Sequence, residues 1–400
     1  MSKKKHKNRS LPGTGSIITS AVFLSLVFGF SLAGIASPDR KFSEMENRSL
    51  QQAPEVSIER IKNGSFTGDI EKYTSDQIFM KDELVTMKTG ADSVLGKRYM
   101  NGVYLADDDF YIQDFKENTE LIKTNIDSLN AFADGLGDGI EVDFLLAPNA
   151  SCVLNDKLPK ANQCGDQSKT AQDIQAMLSQ KIHLAYPEDA LKTEAESCYY
   201  RTDHHWTAKG AELGYSALRQ VMGLPVQQSF ERTSRELGSF YGTLYSKAPR
   251  TGALSDTIEL VTYEGNEIMV SYPVAAGDHD IPAECTETGG VPKKDGLFVK
   301  APESTKDKYA AIMGGNFALT EIETNAPSNE KVLVLKDSYA NAVLPELCTQ
   351  FAHISMIDLR YYHMQEESVS EYVKSHGINR VIYIYNIDFL NSDNNFVWLE

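Results

Sequence analysis

Three apolar runs near the end of the chain constrain its fold more than any other feature: Val332-Leu333-Val334-Leu335, His353-Ile354-Ser355-Met356-Ile357 and Val381-Ile382-Tyr383-Ile384-Tyr385. An apolar run without polar alternation reads as a strand buried on both faces, the situation of a parallel sheet covered by helices. Between the second and third runs, Val369, Tyr372, Val373 and His376 share one side of a helix that Gly377 stops. Between the first and second, Pro345 predicts a turn or an interrupted short helix. The same rhythm appears earlier, with a helix over residues 117–132, a strand from Val142 to Ala147 stopped by Pro148, a helix from Ser168 to Lys181 and a strand from Ile182 to Ala185. This alternation predicts an α/β domain with a parallel sheet.

The three late strands each end in polar groups: Ser338, then Asp358-Leu359-Arg360, then Asn386. Open α/β sheets bind their ligands beyond the carboxyl ends of their strands. A serine in that position is by itself more often a helix cap, and becomes a nucleophile only when a base reaches it. The candidate base lies in Thr202-Asp203-His204-His205-Trp206-Thr207. A carboxylate two residues before His205 is placed to hold that imidazole's Nδ1-H and stabilise the cation formed when the other nitrogen takes a proton. Thr207 then caps a helix whose Ala211, Tyr215, Leu218 and Met222 form an apolar stripe, ended by Gly223 and Pro225. Asp203, His204 and His205 as metal ligands are disfavoured, because no further His/Asp/Glu cluster at ligand spacing accompanies them. His204 reads as a packed or hydrogen-bonding neighbour, and Trp206 as core or pocket wall.

At the other end of the chain, Lys3, Lys4, Lys5, Lys7 and Arg9 precede an uncharged, mainly apolar stretch over residues 16–36. About 20 such residues span a bilayer, and the basic flank marks the cytoplasmic side. The expected arrangement is a cytoplasmic tail over residues 1–15, a transmembrane helix over 16–36 and an exported remainder. A cleaved signal peptide is the alternative, since Gly34 and Ala36 suit a cleavage site, but the stretch exceeds the usual h-region of about 7–15 residues. The whole chain carries a formal charge of −17 with that basic cluster at its start, so the exported part is more acidic still. Such a surface excludes nucleic acid as a partner. Residues 37–112 read as a polar wrapping or spacing segment, and residues 113–400 as the main domain. The stretch 226–304, rich in turn residues, reads as an insertion or lid, with a hairpin from Ile258 to Tyr272 turning at Glu264-Gly265-Asn266. A second hairpin, Asn101 to Ile112, carries Asp107, Asp108 and Asp109 at its tip; the spaced ligands of a calcium loop are missing. Gly314-Gly315-Asn316 marks a tight turn read as a plain loop. None of Cys152, Cys164, Cys198, Cys285 and Cys348 forms a CxxC pair, so a zinc-thiolate site is not expected. In an exported protein Cys152 and Cys164 suit a short disulfide loop, although the odd total leaves a thiol unpaired.

The block Thr202 to Thr207 resembles the signature of the DHHW proteins, which look like relatives of bacterial alginate O-acetyltransferases and, more distantly, of SGNH/GDSL hydrolases. The resemblance runs from about Arg40 to the C-terminus and includes the Asn101 to Ile112 hairpin and Asp358-Leu359-Arg360-Tyr361-Tyr362. It implies an SGNH hydrolase-like parallel sheet with flanking helices and a circularly permuted motif order, with Asp203 and His205 preceding Ser338. By the same resemblance Asp203, His205 and Ser338 form a catalytic triad, and Asn386 supplies an oxyanion donor. Lys336 stands where the serine block has glycine, and Arg360 where the second block's glycine donor is expected, so Arg360 becomes an oxyanion donor or substrate clamp, with Tyr339 a further substrate-binding candidate. The implied activity is extracytoplasmic O-acetyl transfer to a cell-surface polysaccharide or wall glycan through an acetyl-serine, with no cofactor or metal. A membrane-bound acyltransferase partner delivering the acetyl group is implied as well. A carbohydrate acetyl-esterase of the same fold and a non-catalytic glycan-binding or scaffold protein are the alternatives.

Overall fold

The computed structural model describes residues 13–399 apart from 44, 46–47, 301–307 and 364. The basic residues Lys3 to Arg9 and the end of the 226–304 stretch lie outside the described residues. The chain forms two compact units, Met1–Gly90 and Ala91–Glu400.

In the first unit, helix α1 (Thr14–Ala36) carries no charged residue and leaves Phe23, Phe28 and Leu32 exposed. Among the described residues it is the one helix long and apolar enough to cross a membrane, a test that a signal sequence also meets. Helices α2 (Ile58–Lys62), α3 (Ser65–Asp76) and α4 (Lys81–Val94) follow. The buried Asp76 at the end of α3 accepts from the Gln51 backbone at 2.9 Å and from Lys81 at 3.4 Å, which fixes the turn into α4.

The second unit begins ahead of residue 113. The expected hairpin forms from β1 (Val103–Leu105) and β2 (Tyr111–Gln113), with Leu105 opposite Tyr111, and it belongs to this unit and not to a wrapping segment. Tyr104 and Ile112 enter the same core as Leu145, and the Tyr111 N-H donates to the Arg201 carbonyl at 2.7 Å. The tip aspartates are individually paired, Asp107 with Arg98, Asp108 with Lys157 and Asp109 with Arg250.

Helix α5 (Thr119–Gly135), strand β3 (Glu141–Ala147), helix α6 (Gln167–Met177), strand β4 (Ile182–Ala185) and helix α7 (Ala208–Val221) then follow in the predicted alternation. A two-stranded ribbon comes next, β5 (Glu231–Phe240) with β6 (Asp256–Glu264). Strands β7 (Ile268–Gly277), β8 (Thr286–Thr288), β9 (Val291–Asp295), β10 (Phe317–Thr324) and β11 (Ser328–Lys336) lead to helix α8 (Tyr339–Gln350), strand β12 (Phe351–Ile357), helix α9 (Val369–His376), strand β13 (Arg380–Asn386) and helix α10 (Ile387–Ser392). The main sheet has nine strands in the order β8-β9-β7-β10-β12-β11-β13-β3-β4. The five from β12 to β4 are parallel, and the four from β8 to β10 add an antiparallel wing.

Three expectations are corrected here. Residues Ile258 to Tyr272 turn at Gly265, yet the strands on either side do not pair: β6 joins β5, while β7 joins the main sheet. Three strands of the 226–304 stretch, β7, β8 and β9, thus belong to the main sheet, while β5 and β6 form a ribbon of their own. Pro345 lies inside α8 without breaking it. Nearly every residue of α8 is buried, so packing on all sides outweighs the single hydrogen bond that proline removes. The Cys152–Cys164 disulfide is likewise absent: all five cysteines are free, Cys152 sits beside Ser168 and Tyr186, and Cys164 accepts from the Phe115 N-H.

Strand β11 shows why the apolar runs are continuous. Val332 and Val334 enter a core formed with Trp206, Leu218, Val343 and Leu347, whereas Leu333 and Leu335 enter the opposite core with Ile126, Leu129, Val373 and Tyr383. The chain crosses from β11 through α8 to β12 on one side, then through α9 to β13 on the other. The carboxyl end of β11 is thus a topological switch point, and Ser338 is the second residue past it.

Trp206, fully buried, docks the start of α7 onto this core, and Gly214 makes room for it. A Cβ at Gly214 would lie 2.8 Å from two indole carbons. Gly214→Ala is expected to destabilise the protein by about 1–3 kcal/mol through overpacking, read as a lowered urea midpoint with an unchanged slope. An unchanged midpoint would show that Trp206 shifts freely.

Candidate active site

The loop before α7 is held from below by a second carboxylate. Asp256, at the start of β6, accepts from the Arg201 and Thr202 N-H groups, both at 2.7 Å, and from the Thr202 hydroxyl. Burial pushes the Asp256 carboxyl up, and those three donors oppose it. Thr202 in turn accepts from the Gly242 N-H at 3.1 Å, which brings the Gly242-Thr243 corner against Asp203. Gly242 permits that approach because a Cβ there would lie 2.2 Å from the Cβ of Asp203.

Asp203 is buried, and its carboxylate accepts four hydrogen bonds. Oδ1 takes the His205 N-H at 2.9 Å and His205 Nδ1-H at 2.5 Å; Oδ2 takes the Thr243 N-H at 2.9 Å and the Thr243 hydroxyl at 3.1 Å. Burial alone would raise its pKa, but the adjacent His205 and His204 and these hydrogen bonds hold the carboxyl well below the usual range. Because a carboxylate only accepts, His205 must carry its proton on Nδ1, which leaves Nε2 with a lone pair. Ser338 Oγ lies 2.7 Å from that nitrogen and donates to it.

His205 is also held on both faces. The Tyr309 ring stacks on it at 3.7 Å between centroids and 7° between planes, and its hydroxyl donates to the Ser338 carbonyl at 2.9 Å. On the other face lies the His204 ring, at 3.8 Å and 37°. His204 Nδ1 is 2.7 Å from the Thr243 hydroxyl, and burial, followed by the neighbouring His205, pushes its pKa down to about 3. His204 is thus the packed, hydrogen-bonding neighbour expected.

The residues around Ser338 are fixed as tightly. Asp337 accepts from the Tyr339 N-H at 2.8 Å, the Asn386 N-H at 2.7 Å and Asn386 Nδ2 at 2.6 Å, tying the end of β11 to the end of β13. Lys336 Nζ donates to Asn316 and Asn341, both at 2.6 Å, and burial lowers its pKa to about 8. The Gly314-Gly315-Asn316 turn therefore reaches the site through Asn316 instead of being a plain loop.

The structure brings Asp203, His205 and Ser338 together and gives the three other predicted residues different work. Asn386 Oδ1 caps α10 by accepting from the Asp388 and Phe389 N-H groups, while its amide donates to Asp337. Arg360 makes a bidentate pair with Asp358 at 2.9 and 2.6 Å and lies over the Tyr361 and Phe389 rings. Tyr339 is fully buried; its hydroxyl donates to the His204 carbonyl and accepts from Asn149, and its carbonyl accepts from Trp206 Nε1 at 3.0 Å. Tyr339 is committed to local partners on its hydroxyl and carbonyl, whereas Arg360 Nη1 makes no bond among the described residues. Sequence reasoning missed Thr243, Asp256 and Tyr309, which lie 40 or more residues beyond Asp203 and belong to no local motif. Asp337 was legible only as the acid preceding Ser338.

Asp203, His204 and His205 each offer one metal-ligating atom within 4.8 Å of the others. Both Asp203 oxygens and both His205 nitrogens are spent on hydrogen bonds, which leaves Nε2 of His204 as the uncommitted ligand of the set. The arrangement suits proton transfer to and from Ser338 better than it suits a cation.

A family profile described as DHHW protein matches residues 100–357. No curated protein matches the chain. Among solved structures, a DHHW family protein from Eubacterium siraeum is 21% identical with a TM-score of 0.62, covering 75% of this chain and 95% of its own. Bacillus cereus PatB1 is 22% identical with a TM-score of 0.58, covering 74% and 98%, and its structure with a sulfonyl adduct gives 20%, 0.56, 74% and 96%. These likenesses establish a shared fold.

The depressed pKa of His204 has a consequence for stability. Below its ordinary value of 6.5 the unfolded chain binds a proton that the folded chain refuses until about 3, so stability falls as pH drops through that window and rises as pH increases. His204→Gln removes this contribution. The unfolding free energy of the unsubstituted protein minus that of the variant is expected to increase with pH between about 4.5 and 6.5, measured by urea titration. A difference independent of pH would show that His204 is charged in the folded state.

Proposed function

The chain belongs to the DHHW family, and from that premise we propose that it is an extracytoplasmic O-acetyltransferase acting on a cell-surface polysaccharide or wall glycan. The observation that carries this reading is the unbroken chain of hydrogen bonds from Asp203 through His205 to Ser338. It supplies a nucleophile, a base and an orienting carboxylate within hydrogen-bond reach of one another. The position of Ser338 at the switch point, with Asp203 and His205 earlier in the chain, supports a permuted SGNH-like arrangement.

In this reading Ser338 Oγ attacks the acetyl carbonyl of a donor while its proton passes to His205 Nε2. The buried Asp203 stabilises the imidazolium without taking the proton, and the Tyr309 ring against the His205 face favours the same cation. Collapse of the tetrahedral intermediate expels the leaving group, which takes the proton from His205 and leaves acetyl-Ser338. An acceptor hydroxyl then gives its proton to His205 and attacks the acetyl carbon; the Ser338 ester bond breaks, and the proton returns to Oγ. The Ser338 N-H donates to none of the described residues and is available to the oxyanion, whereas the Tyr339 N-H is spent on Asp337.

The apolar α1 would anchor the enzyme in a membrane with residues 37–400 outside the cytoplasm. Acetyl donors are made inside the cell, so the reading calls for a membrane-bound acyltransferase partner. An acetyl-esterase would run the same steps with water as acceptor.

With p-nitrophenyl acetate and a soluble glycan acceptor, the full chain in detergent is expected to form acetylated glycan. Ser338→Ala should abolish turnover, and Asp203→Asn, which traps the wrong His205 tautomer, should lower kcat on the order of 10⁴-fold. Release of free acetate with no glycan ester would favour the esterase. Absence of any Ser338-dependent turnover in folded protein would contradict both.

A further inference from the structure

His204 is not consumed by the steps above, yet its polar atoms are arranged for a purpose. Thr243 Oγ1 lies 3.1 Å from Asp203 Oδ2 and 2.7 Å from His204 Nδ1. The hydroxyl has one proton, and the carboxylate can only accept. Both contacts are hydrogen bonds only if Thr243 donates to Asp203 and His204 Nδ1-H donates to Thr243. The same carboxylate therefore sets the tautomer of two imidazoles, His205 directly and His204 through a threonine. In both, Nε2 is left with a lone pair.

The two rings also point the same way. Each turns Nδ1 toward Asp203, at 2.5 Å for His205 and 3.8 Å for His204, and the rings stack with centroids 3.8 Å apart. Each ring therefore carries its Nε2 away from the Asp203 carboxylate, on neighbouring imidazoles whose centroids are 3.8 Å apart. The His204 side chain is 28% exposed against 6% for His205, and its Nε2 has no partner among the described residues. Burial holds this imidazole neutral, with a pKa near 3, so its lone pair repels anions and receives neutral donors.

We propose that His204 Nε2 is an acceptor-binding group that receives a second hydroxyl adjacent to the one being acetylated, so that the site selects vicinal polyols such as sugar rings over simple alcohols. This rests on acyl transfer through Ser338. The reacting hydroxyl faces His205 Nε2 and surrenders its proton there as it attacks the acetyl carbon. Its neighbour keeps its proton and donates it as a hydrogen bond to His204. Two neighbouring imidazoles, each with a lone pair on Nε2, thus match two adjacent hydroxyls of one sugar.

The test compares ethylene glycol with methoxyethanol as acyl acceptors, since the two share a skeleton and differ in whether the second oxygen carries a proton. The full chain in detergent is given p-nitrophenyl acetate, the product esters are quantified, and acetyl-Ser338 is followed by peptide mass mapping. Per hydroxyl, kcat/KM is expected to favour ethylene glycol by about five- to tenfold, the size of one neutral hydrogen bond. His204→Phe keeps a ring against His205 but removes the lone pair, and should bring the ratio to about one. Thr243→Ser should retain the preference and Thr243→Val should lose it, which decides the matter even if His204→Phe does not fold. Equal use of the two acceptors by the unsubstituted protein, or an undiminished preference in folded His204→Phe with acetyl-Ser338 still forming, would overturn the inference. Failure to form acetyl-Ser338 at all would instead overturn the acyl-transfer reading, and this inference with it.

Discussion

The buried carboxylate of Asp203 is the constraint on which the site depends. An ionised group removed from water is tolerated only when its acceptor positions are filled, and Asp203 fills four from His205 and Thr243. Thr243 lies 40 residues beyond Asp203 in sequence, so the corner at Gly242 must touch the loop at Asp203. Thr202 and Asp256 make that contact rigid, and the absence of a side chain at Gly242 makes it possible. Once the carboxylate is placed, the proton on His205 is placed, and the direction of the Ser338 hydrogen bond follows.

The sheet contributes the other half. Strand β11 is buried on both faces and ends at the switch point, where the crossovers to β12 and β13 diverge. Asp337 ties that end to Asn386 of β13, so Ser338 stands on a corner fixed by two parallel strands. Tyr309 and Tyr339 then lace the two halves together, one between His205 and the Ser338 carbonyl, the other between the His204 carbonyl and Asn149. Chain order is immaterial to this geometry, because the base reaches the nucleophile through tertiary packing.

Much of this was legible in the residues. The continuous apolar runs at Val332 and Val381 announced doubly buried strands because nothing polar interrupts them. His353 to Ile357 instead alternates, with His353 exposed and Ser355 half-buried, and each of the three strands formed within a few residues of its expected bounds. Asp203, His205 and Ser338 were visible because their chemistry is unusual at those positions. What stayed hidden were pairings set by distance through the fold. The turn at Gly265 was plain, but whether its strands pair depends on which sheet has an open edge. Pro345 was read by its local cost, while the burial of α8 on nearly all sides outweighed it. Asn386 and Arg360 were assigned to substrate from their place at the sheet edge, yet an amide can cap a helix and a guanidinium can pair with a carboxylate two residues away, and here they do.

The most direct test of the account is where an activated sulfonyl group goes. A sulfonyl fluoride labels a serine whose hydroxyl is deprotonated by a neighbouring base and leaves ordinary surface serines untouched. Treating the full chain with phenylmethylsulfonyl fluoride and mapping the adduct by peptide mass spectrometry should place a single label on Ser338, lost in His205→Ala. Label spread over other serines, or a Ser338 adduct indifferent to His205, would contradict the claim that Asp203 and His205 activate Ser338.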